Sequence, residues 1–352
     1  MTEPKSRSER PRRGFFAWVG CLFRLIQFLV RAIIALVGGW IAYSRLFVPH
    51  RLTLSHALGG ERRTFSANGI ELSYYVSGTG KPLVLLHSIN AAASAYEMKP
   101  IYDHFAAMRR VYALDLPGFG FSARHDLVYS PQLYTDAILS FIRSQVADSG
   151  GPADVVALSL SSEFAARAAD AAPEFFSSLT LISPTGFGRT GGVVVRSERE
   201  EERSTRFLNI LHSPLWSQPL YDLLTSRPSL RFFLGMSFAG PVDEKLLAYA
   251  YLTSHQPGAY YAPFYFISGK LFSPDIRLVY GRLKLPVMVL YNKDAFTSFE
   301  LLDEFRDRPN WRLVRIRGTR GLPHFEKSEQ TNKVLAAFLA DYSLPMQVDI
   351  EQ

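Results

Sequence analysis

Cysteine is almost missing from this chain: one of its 352 residues, Cys21, is a cysteine. An internal disulfide is excluded, and both thiol catalysis and a structural zinc site are disfavoured. No cluster of His, Cys, Asp and Glu has metal-ligand spacing, so no metal is expected. There is no phosphate-cradling Walker loop and no dinucleotide glycine fingerprint beside an early strand, so no nucleotide or redox cofactor is implied. Internal repeats are missing, and so are low-complexity tracts beyond the basic N-terminus.

Acidic residues are scarce at the front. Residues 1–51 hold nine Lys or Arg and two Glu, whereas the other 301 residues carry 30 charges of each sign. The net charge of +7 therefore belongs to the front segment. A neutral body offers no concentrated positive surface for phosphates, so no nucleic-acid partner is expected. The length suffices for one large α/β domain with an inserted cap, or for two small domains.

What the front segment does have is a long apolar run. Basic residues precede Phe15-Phe16-Ala17-Trp18-Val19, and a mostly apolar stretch then reaches Val48. Trp18, Trp40 and Tyr43 lie near its ends, as interfacial aromatics do. Arg24, Arg31 and Arg45 interrupt it and share one helical face with Gln27 and Gly38. One reading is a single-pass helix over Leu25–Tyr43, in which burying Arg31 costs about 2.5–3.5 kcal/mol, an amount the surrounding apolar residues offset. A second is an amphipathic helix lying in the membrane surface with its arginines among the headgroups. A third is a cleaved signal peptide, although no small-x-small site follows and Arg31 breaks the apolar core. A helix packed on the protein's own surface is the alternative to all three. Residues 1–51 are thus expected to form a basic N-terminus and a membrane-associated helix. Basic residues flank both ends, so no membrane side is assigned.

From residue 62 short apolar runs alternate with helical stretches. Ile70–Tyr75 alternates like an antiparallel strand. Pro82–His87 is continuously apolar, as in a strand buried on both faces. Val111–Asp115, Ala153–Leu158, Leu179–Ile182, Pro286–Tyr291 and Trp311–Ile316 also read as strands. Ala92–Met108, Pro131–Val146, Ser161–Ala172, Thr297–Phe305 and Phe325–Tyr342 read as helices. Such alternation predicts a mostly parallel, doubly wound α/β sheet. Between 188 and 280 it stops, and a helical, aromatic-rich stretch follows that reads as a cap, preceded by the charge run Arg196–Arg206. Core segments are expected over 62–187 and 281–342.

Ser159 stands where the strand Ala153–Leu158 meets a helix, in Ala157-Leu158-Ser159-Leu160-Ser161. A serine at such a turn is aimed into a pocket if the residues two before and two after are small, here Ala157 and Ser161. The helix N-terminus and the Leu160 amide then face a developing oxyanion. Three further stretches add to it: Leu85-Leu86-His87-Ser88-Ile89-Asn90, Asp115-Leu116-Pro117-Gly118-Phe119-Gly120-Phe121-Ser122, and Asp294 just past the strand Pro286–Tyr291.

Together, residues 62–342 resemble the α/β-hydrolase superfamily, specifically a cap-bearing serine hydrolase of the esterase, lipase and carbon–carbon-bond hydrolase type. The resemblance implies the α/β-hydrolase fold with an inserted helical cap. It implies Ser159 as nucleophile, Asp294 as triad acid, and the amides of Ile89 and Leu160 as the oxyanion hole, with His87 and Ser88 supporting. The family's usual flanking glycines are Ala157 and Ser161 here, and Ser88 replaces the glycine of the oxyanion loop. The larger departure is the base. In Gly321-Leu322-Pro323-His324-Phe325-Glu326 the family's catalytic histidine falls on Gly321, and His324 matches a second, supporting histidine. Three readings stay open: His324 is a displaced base; the base is His87, or His255 or His212 from the cap; or the site binds without turnover.

The function expected from these residues is a membrane-associated serine hydrolase of a hydrophobic ester, thioester or related acyl substrate. Its partners would be a lipid-like small molecule and the membrane. The alternative is a catalytically degenerate relative that binds an apolar ligand or partner.

Overall fold

The computed structural model describes residues 13–147, 150–189, 198–342, 345 and 347–350, with the side chains of 13–21 left out. The basic run through Arg12 and the start of the charge run at Arg196 lie outside the described residues. The chain forms two compact units, one ending at Val48 and one beginning at Pro49. In the first, helix α1 runs over Arg13–Phe47. Its segment Leu22–Phe47 is long and apolar enough to cross a membrane by length and composition, spanning about 39 Å at 1.5 Å per residue. Phe28, Ile34 and Leu36 on it are exposed.

The second unit is built on one nine-stranded sheet in the order β1-β2-β4-β3-β5-β6-β7-β8-β9. The strands are β1 Glu61–Ala67, β2 Ile70–Ser77, β3 Pro82–Leu86, β4 Arg110–Leu114, β5 Ala153–Leu158, β6 Phe176–Ile182, β7 Val287–Tyr291, β8 Trp311–Ile316 and β9 Gln347–Ile350. β1 and β2 form an antiparallel hairpin, β2 pairs antiparallel with β4, and all later pairs are parallel. Every residue of β3 and β5 is buried, which is what their uninterrupted apolar runs require of strands covered on both faces. Two cores, one on each face, contain Leu86, Phe164 and Trp311 on one side and Leu85, Met98 and Phe338 on the other.

The flanking helices are α2 Lys99–Phe105, α3 Pro131–Phe141, α4 Ser161–Ala171, α10 Ile276–Arg282, α11 Pro323–Glu326 and α12 Ser328–Asp341. α3 starts where Ser130 Oγ accepts the Leu133 N–H at 3.2 Å, with Pro131 in the first turn. Between β6 and α10 stand α5 Glu198–Leu211, α6 Ser217–Leu224, α7 Arg227–Met236, α8 Glu244–Ser254 and α9 Tyr261–Ile267, the helical stretch read as a cap. Two tethers fix it. Glu163 on α4 accepts from Thr185 Oγ1 (2.5 Å) and from the Ser273 N–H (2.8 Å). The strap at 50–57 also crosses it: His50 Nε2 meets Asp222 at 2.9 Å, Leu52 N–H donates to His255 O, and Tyr249 Oη donates to Ser55 O.

Some expected elements differ. The helix expected over Thr297–Phe305 shrinks to a single 3-10 turn at Leu302–Phe305. Thr297 Oγ1 donates to Pro184 O and Ser298 Oγ to Glu300, which gives this stretch side-chain partners outside a helix. Ala92–Met108 is helical only from Ala95, as a 3-10 turn followed by α2, with Pro100 in the first turn of α2. The edge strands β1 and β9 were not foreseen.

The loop after β4 fixes the floor of the site. The Asp115 carboxylate accepts the N–H groups of Ala95 (2.9 Å) and Phe121 (3.0 Å). Gly120 has φ 54°, and a Cβ there would come within 1.9 Å of the Asp115 carboxylate carbon. Gly69, in the β1–β2 turn, has φ 81° but open space around it. Gly120→Ala should therefore destabilise the protein by about 3 kcal/mol, lowering Tm by on the order of 5–10 °C, against about 1 kcal/mol for Gly69→Ala, as thermal melts would read.

Candidate active site

Ser159 joins β5 to α4 with φ 55°, in the left-handed region. A non-glycine residue held there costs about 1–3 kcal/mol and persists only when its surroundings over-determine it. Here the Ser159 N–H donates to Ile182 O at the end of β6 (2.8 Å), and the Ser159 carbonyl accepts the Ser162 N–H (3.1 Å). The small flanks Ala157 and Ser161 are buried. Ser161 does more than avoid a clash: its Oγ donates to His87 O at 2.5 Å, tying the turn to the loop after β3. That bond is what serine adds where the family usually has glycine.

Ile89 and Leu160 are buried, 2% and 0% exposed. Among the described residues neither backbone N–H donates to any acceptor. Buried amides without partners are rare in folded proteins, and two of them flank the serine in sequence and motif. The loop bearing Ile89 is tightly held. Ser88 N–H donates to Glu97 Oε2 (2.8 Å), and Asn90 Nδ2 donates to Glu97 Oε1 (2.7 Å) and to Ser88 Oγ (2.8 Å). The Ala92 N–H donates to Asn90 Oδ1 at 2.7 Å. Asn90 and Glu97 escaped the sequence reading. Their signal was weak: an acid seven residues beyond an amide, in a stretch read as ordinary helix.

The histidines are committed elsewhere. Leu116 N–H donates to His87 Nε2 at 2.9 Å, so the proton of that ring sits on Nδ1, which donates to Ser88 O at 2.6 Å. His324 is fully buried, and its Nε2–H donates to Glu97 O at 2.7 Å. His324 Nδ1 has no partner among the described residues. Burial pushes both imidazoles down to about 4, so they are neutral at pH 7. In the cap, His255 Nδ1 lies 2.8 Å from Tyr251 O. His212 sits among Tyr261, Phe264 and Tyr265.

Asp294 Oδ1 accepts the Phe296 N–H at 2.7 Å, and burial raises its carboxyl above the ordinary range. The carboxylate lies against Gly321: a Cβ there would stand 2.6 Å from Asp294 Oδ2. The structure thus brings Asp294 to Gly321 and His324 to Glu97. No hydrogen bond or ion pair joins Asp294 with His324, and Ser159 Oγ makes no hydrogen bond with any described residue. No group of three or more described His, Cys, Asp or Glu residues could hold a metal ion. Beside the oxyanion loop, Ala91, Phe119, Arg124 and Tyr221 line a narrow crevice with essentially no room for a water molecule, whereas ligand pockets hold roughly 300–1,000 Å³.

The sequence profile of the alpha/beta hydrolase family matches residues 83–334. The chain belongs to that family. Over 87 residues it is 31% identical to a 2-hydroxy-6-oxo-6-(2'-aminophenyl)hexa-2,4-dienoic acid hydrolase of Metapseudomonas resinovorans. That match spans 24% of this chain and 30% of the relative, so the chain spans less than a third of the curated relative. Two solved structures share the fold. One is a serine hydrolase involved in carbazole degradation (TM-score 0.64, 19% identity, 80% of this chain and 99% of that one). The other is a membrane phospholipase A described as a bacterial virulence factor (TM-score 0.62, 17% identity, 92% and 97%). The chain accordingly has the α/β-hydrolase fold of its family.

The His324 imidazole makes stability depend on pH with a definite sign. Its folded value of about 4 lies below the unfolded value of about 6.5, so the unfolded chain binds the extra proton between them. The stability it contributes is present above about pH 6.5 and is lost as pH falls toward 4, by at most about 3 kcal/mol. His324→Gln should cost about 2 kcal/mol at pH 7. That gap should shrink as melts are repeated down to about pH 4.5, because only the wild type meets this penalty.

Proposed function

We propose that this α/β-hydrolase is a membrane-associated serine hydrolase that cleaves a hydrophobic ester, thioester or related acyl substrate. The observation that carries the reading is the strained left-handed backbone of Ser159 beside two buried, undonated amides, those of Ile89 and Leu160. Ser159 Oγ attacks the acyl carbon, and the carbonyl π pair moves to oxygen, where the two N–H groups receive it. The pair returns, the alcohol or thiol leaves with a proton, and water releases the acyl group from the serine. Losing one such donor typically costs about 10²–10³ in rate, so two preset amides are a substantial catalytic device.

The substrate class rests on three supports. The cap is rich in aromatics, including Tyr221, Tyr260, Phe264 and Tyr265. Helix α1 is apolar over 26 residues, which suits an enzyme working beside lipid. The lipase-type likeness in fold adds to this, with a membrane phospholipase A and a lipase from Acinetobacter baumannii AYE among similar structures.

The serine's proton needs an acceptor. His324 could serve only by giving up its bond to Glu97 O or by presenting Nδ1, and Asp294 would orient it only after leaving Gly321. A specific observation therefore favours a second reading, an apolar-ligand binder without turnover: Ser159 Oγ has no acceptor among the described residues.

A fluorophosphonate probe separates the two. Serine oxygen bonds to phosphorus, and fluoride leaves with the serine proton. Under the first reading the full-length protein in detergent is labelled and Ser159→Ala is not. Loss of labelling in His324→Ala assigns His324 as base if His87→Ala still reacts and residues 87–98 of His324→Ala stay as protected from amide exchange as in wild type. Folded wild type that stays unlabelled, yet gains thermal stability from a long-chain acyl amide, fits the binder.

A further inference from the structure

We infer that Glu97 is a positioning residue whose buried carboxylate, acting through Ser88 and Asn90, holds the Ile89 amide in its oxyanion-binding orientation. The inference rests on the hydrolase reading for its catalytic meaning, and on geometry for the rest.

Glu97 is 5% exposed, and no Lys, Arg or His side chain forms an ion pair with it among the described residues. A lone buried carboxylate is costly, and an apolar side chain would fill the same space without that cost. What the carboxylate gains is two donors. One oxygen takes the Ser88 N–H and the other takes Asn90 Nδ2, the residues immediately before and after Ile89. Asn90 is then closed into a local turn by the Ala92 N–H on its Oδ1, and it reaches back to Ser88 Oγ. The amides of Ser88 and Ala92 are used, and that of Ile89 is left free.

The mount behind Glu97 is rigid. It stands in the 3-10 turn Ala95–Met98, where Ala95 N–H is held by Asp115 and Glu97 N–H by Ser94 O (3.0 Å). From the other side His324 donates Nε2–H to the Glu97 carbonyl. His324, placed by family alignment on a supporting histidine, thus reaches the oxyanion loop through Glu97. Ser88 fits too: a glycine there would leave Asn90 Nδ2 one acceptor fewer.

Donor counting defines the test. Glu97→Gln keeps the size but turns one acceptor into an NH2, which must then face either the Ser88 N–H or Asn90 Nδ2. Asn90→Ala removes the other half of the clamp and leaves Glu97 untouched, so it serves if the first variant folds poorly. Full-length wild type and both variants would be compared in detergent by three readouts. The first is amide exchange in the peptide covering 87–98, alongside global melting. The second is the rate of fluorophosphonate labelling. The third is affinity for octylboronic acid set against octanamide. The boronic acid bonds its boron to the serine oxygen, sends the serine proton to solvent and leaves an anionic adduct at the oxyanion site, whereas octanamide has the same chain and no such charge.

We expect exchange at 88–92 to quicken by about tenfold or more with the rest of the protein unchanged. Labelling and boronate affinity should fall about 10- to 100-fold, with octanamide affinity within about twofold. Equal loss of boronate and octanamide binding would overturn the inference, since that marks general disruption. So would labelling that stays at the wild-type rate despite local loosening. If wild type reacts with neither probe and matches Ser159→Ala, the hydrolase reading fails. The positioning role is then decided by exchange: lost protection in both variants supports it, and unchanged protection rejects it.

Discussion

The left-handed backbone at Ser159 is the constraint on which the surrounding loops depend. Holding φ at 55° there requires opposing forces from several directions. They come from the end of β6 through Ile182, from α4 through Ser162, and from the loop after β3 through Ser161 and His87. The last tie sets up the next layer. His87 receives the Leu116 amide and gives its Nδ1–H to Ser88, so the elbow, the oxyanion loop and the loop after β4 form one connected bonding system. Apart from the half-buried Ser159, each member is buried, and each bond therefore counts for more than it would in water. A strained serine needs such a cage, and the same bonds tie its turn to the loop that carries Ile89.

The cap belongs to the same mechanical system. Glu163, four residues past the elbow, grips Thr185 and Ser273 at the two ends of the inserted stretch. Burial pushes its carboxyl up to about 7, the Thr185 and Ser273 bonds pulling the other way. On the other side the strap at 50–57 bonds to α6, α8 and the residues just past α8 before it enters the sheet region, where Ala57 N–H reaches Tyr75 Oη at 3.0 Å. A cap movement that opens the crevice must either break these strap contacts or carry the strap along. Any cap movement is thereby coupled to the strap at 50–57.

Much of the fold was legible because burial on two faces leaves a periodic trace. β3 and β5 read as continuous apolar runs, and the Asp115–Ser122 loop carried its turn glycines openly. The edges were harder. β1 carries Arg62, Arg63 and Thr64 and is stabilised by pairing with β2, which composition does not reveal. The 297–305 stretch has helix-like spacing, but its hydroxyls bond elsewhere. At the site, Ser159, Ile89 and Leu160 sit at motif positions and could be read. Glu97 could not, because its importance lies in three contacts, two with the loop after β3 and one with His324 of α11, 227 positions away. The same holds for His324, whose partner in space is Glu97 and whose neighbour in motif would have been Asp294.

The two halves of a serine hydrolase site are separable, and this protein separates them. Oxyanion stabilisation needs only fixed donors, and on the proposed reading Glu97, Asn90 and Ser161 hold the loops that would carry them. Proton removal needs a lone pair on a mobile, titratable group near pH 7. Here the His87 and His324 imidazoles are buried and neutral, His87 bonded through both nitrogens and His324 through Nε2, and Asp294 fills the space beside Gly321. General-base assistance is worth about 10²–10⁴ in rate, and oxyanion and binding effects alone still leave about 10³–10⁴ over water. On the hydrolase reading, a site with the first half intact and the second unengaged would be a slow or gated catalyst. The gate that the contacts define is local: His324 can bring Nε2 to new work only by releasing Glu97, and releasing Glu97 loosens the support behind the Ile89 amide. Base action through Nε2 would thus compete with the Glu97 carbonyl, whereas Nδ1, which has no partner among the described residues, could take a proton with that bond intact.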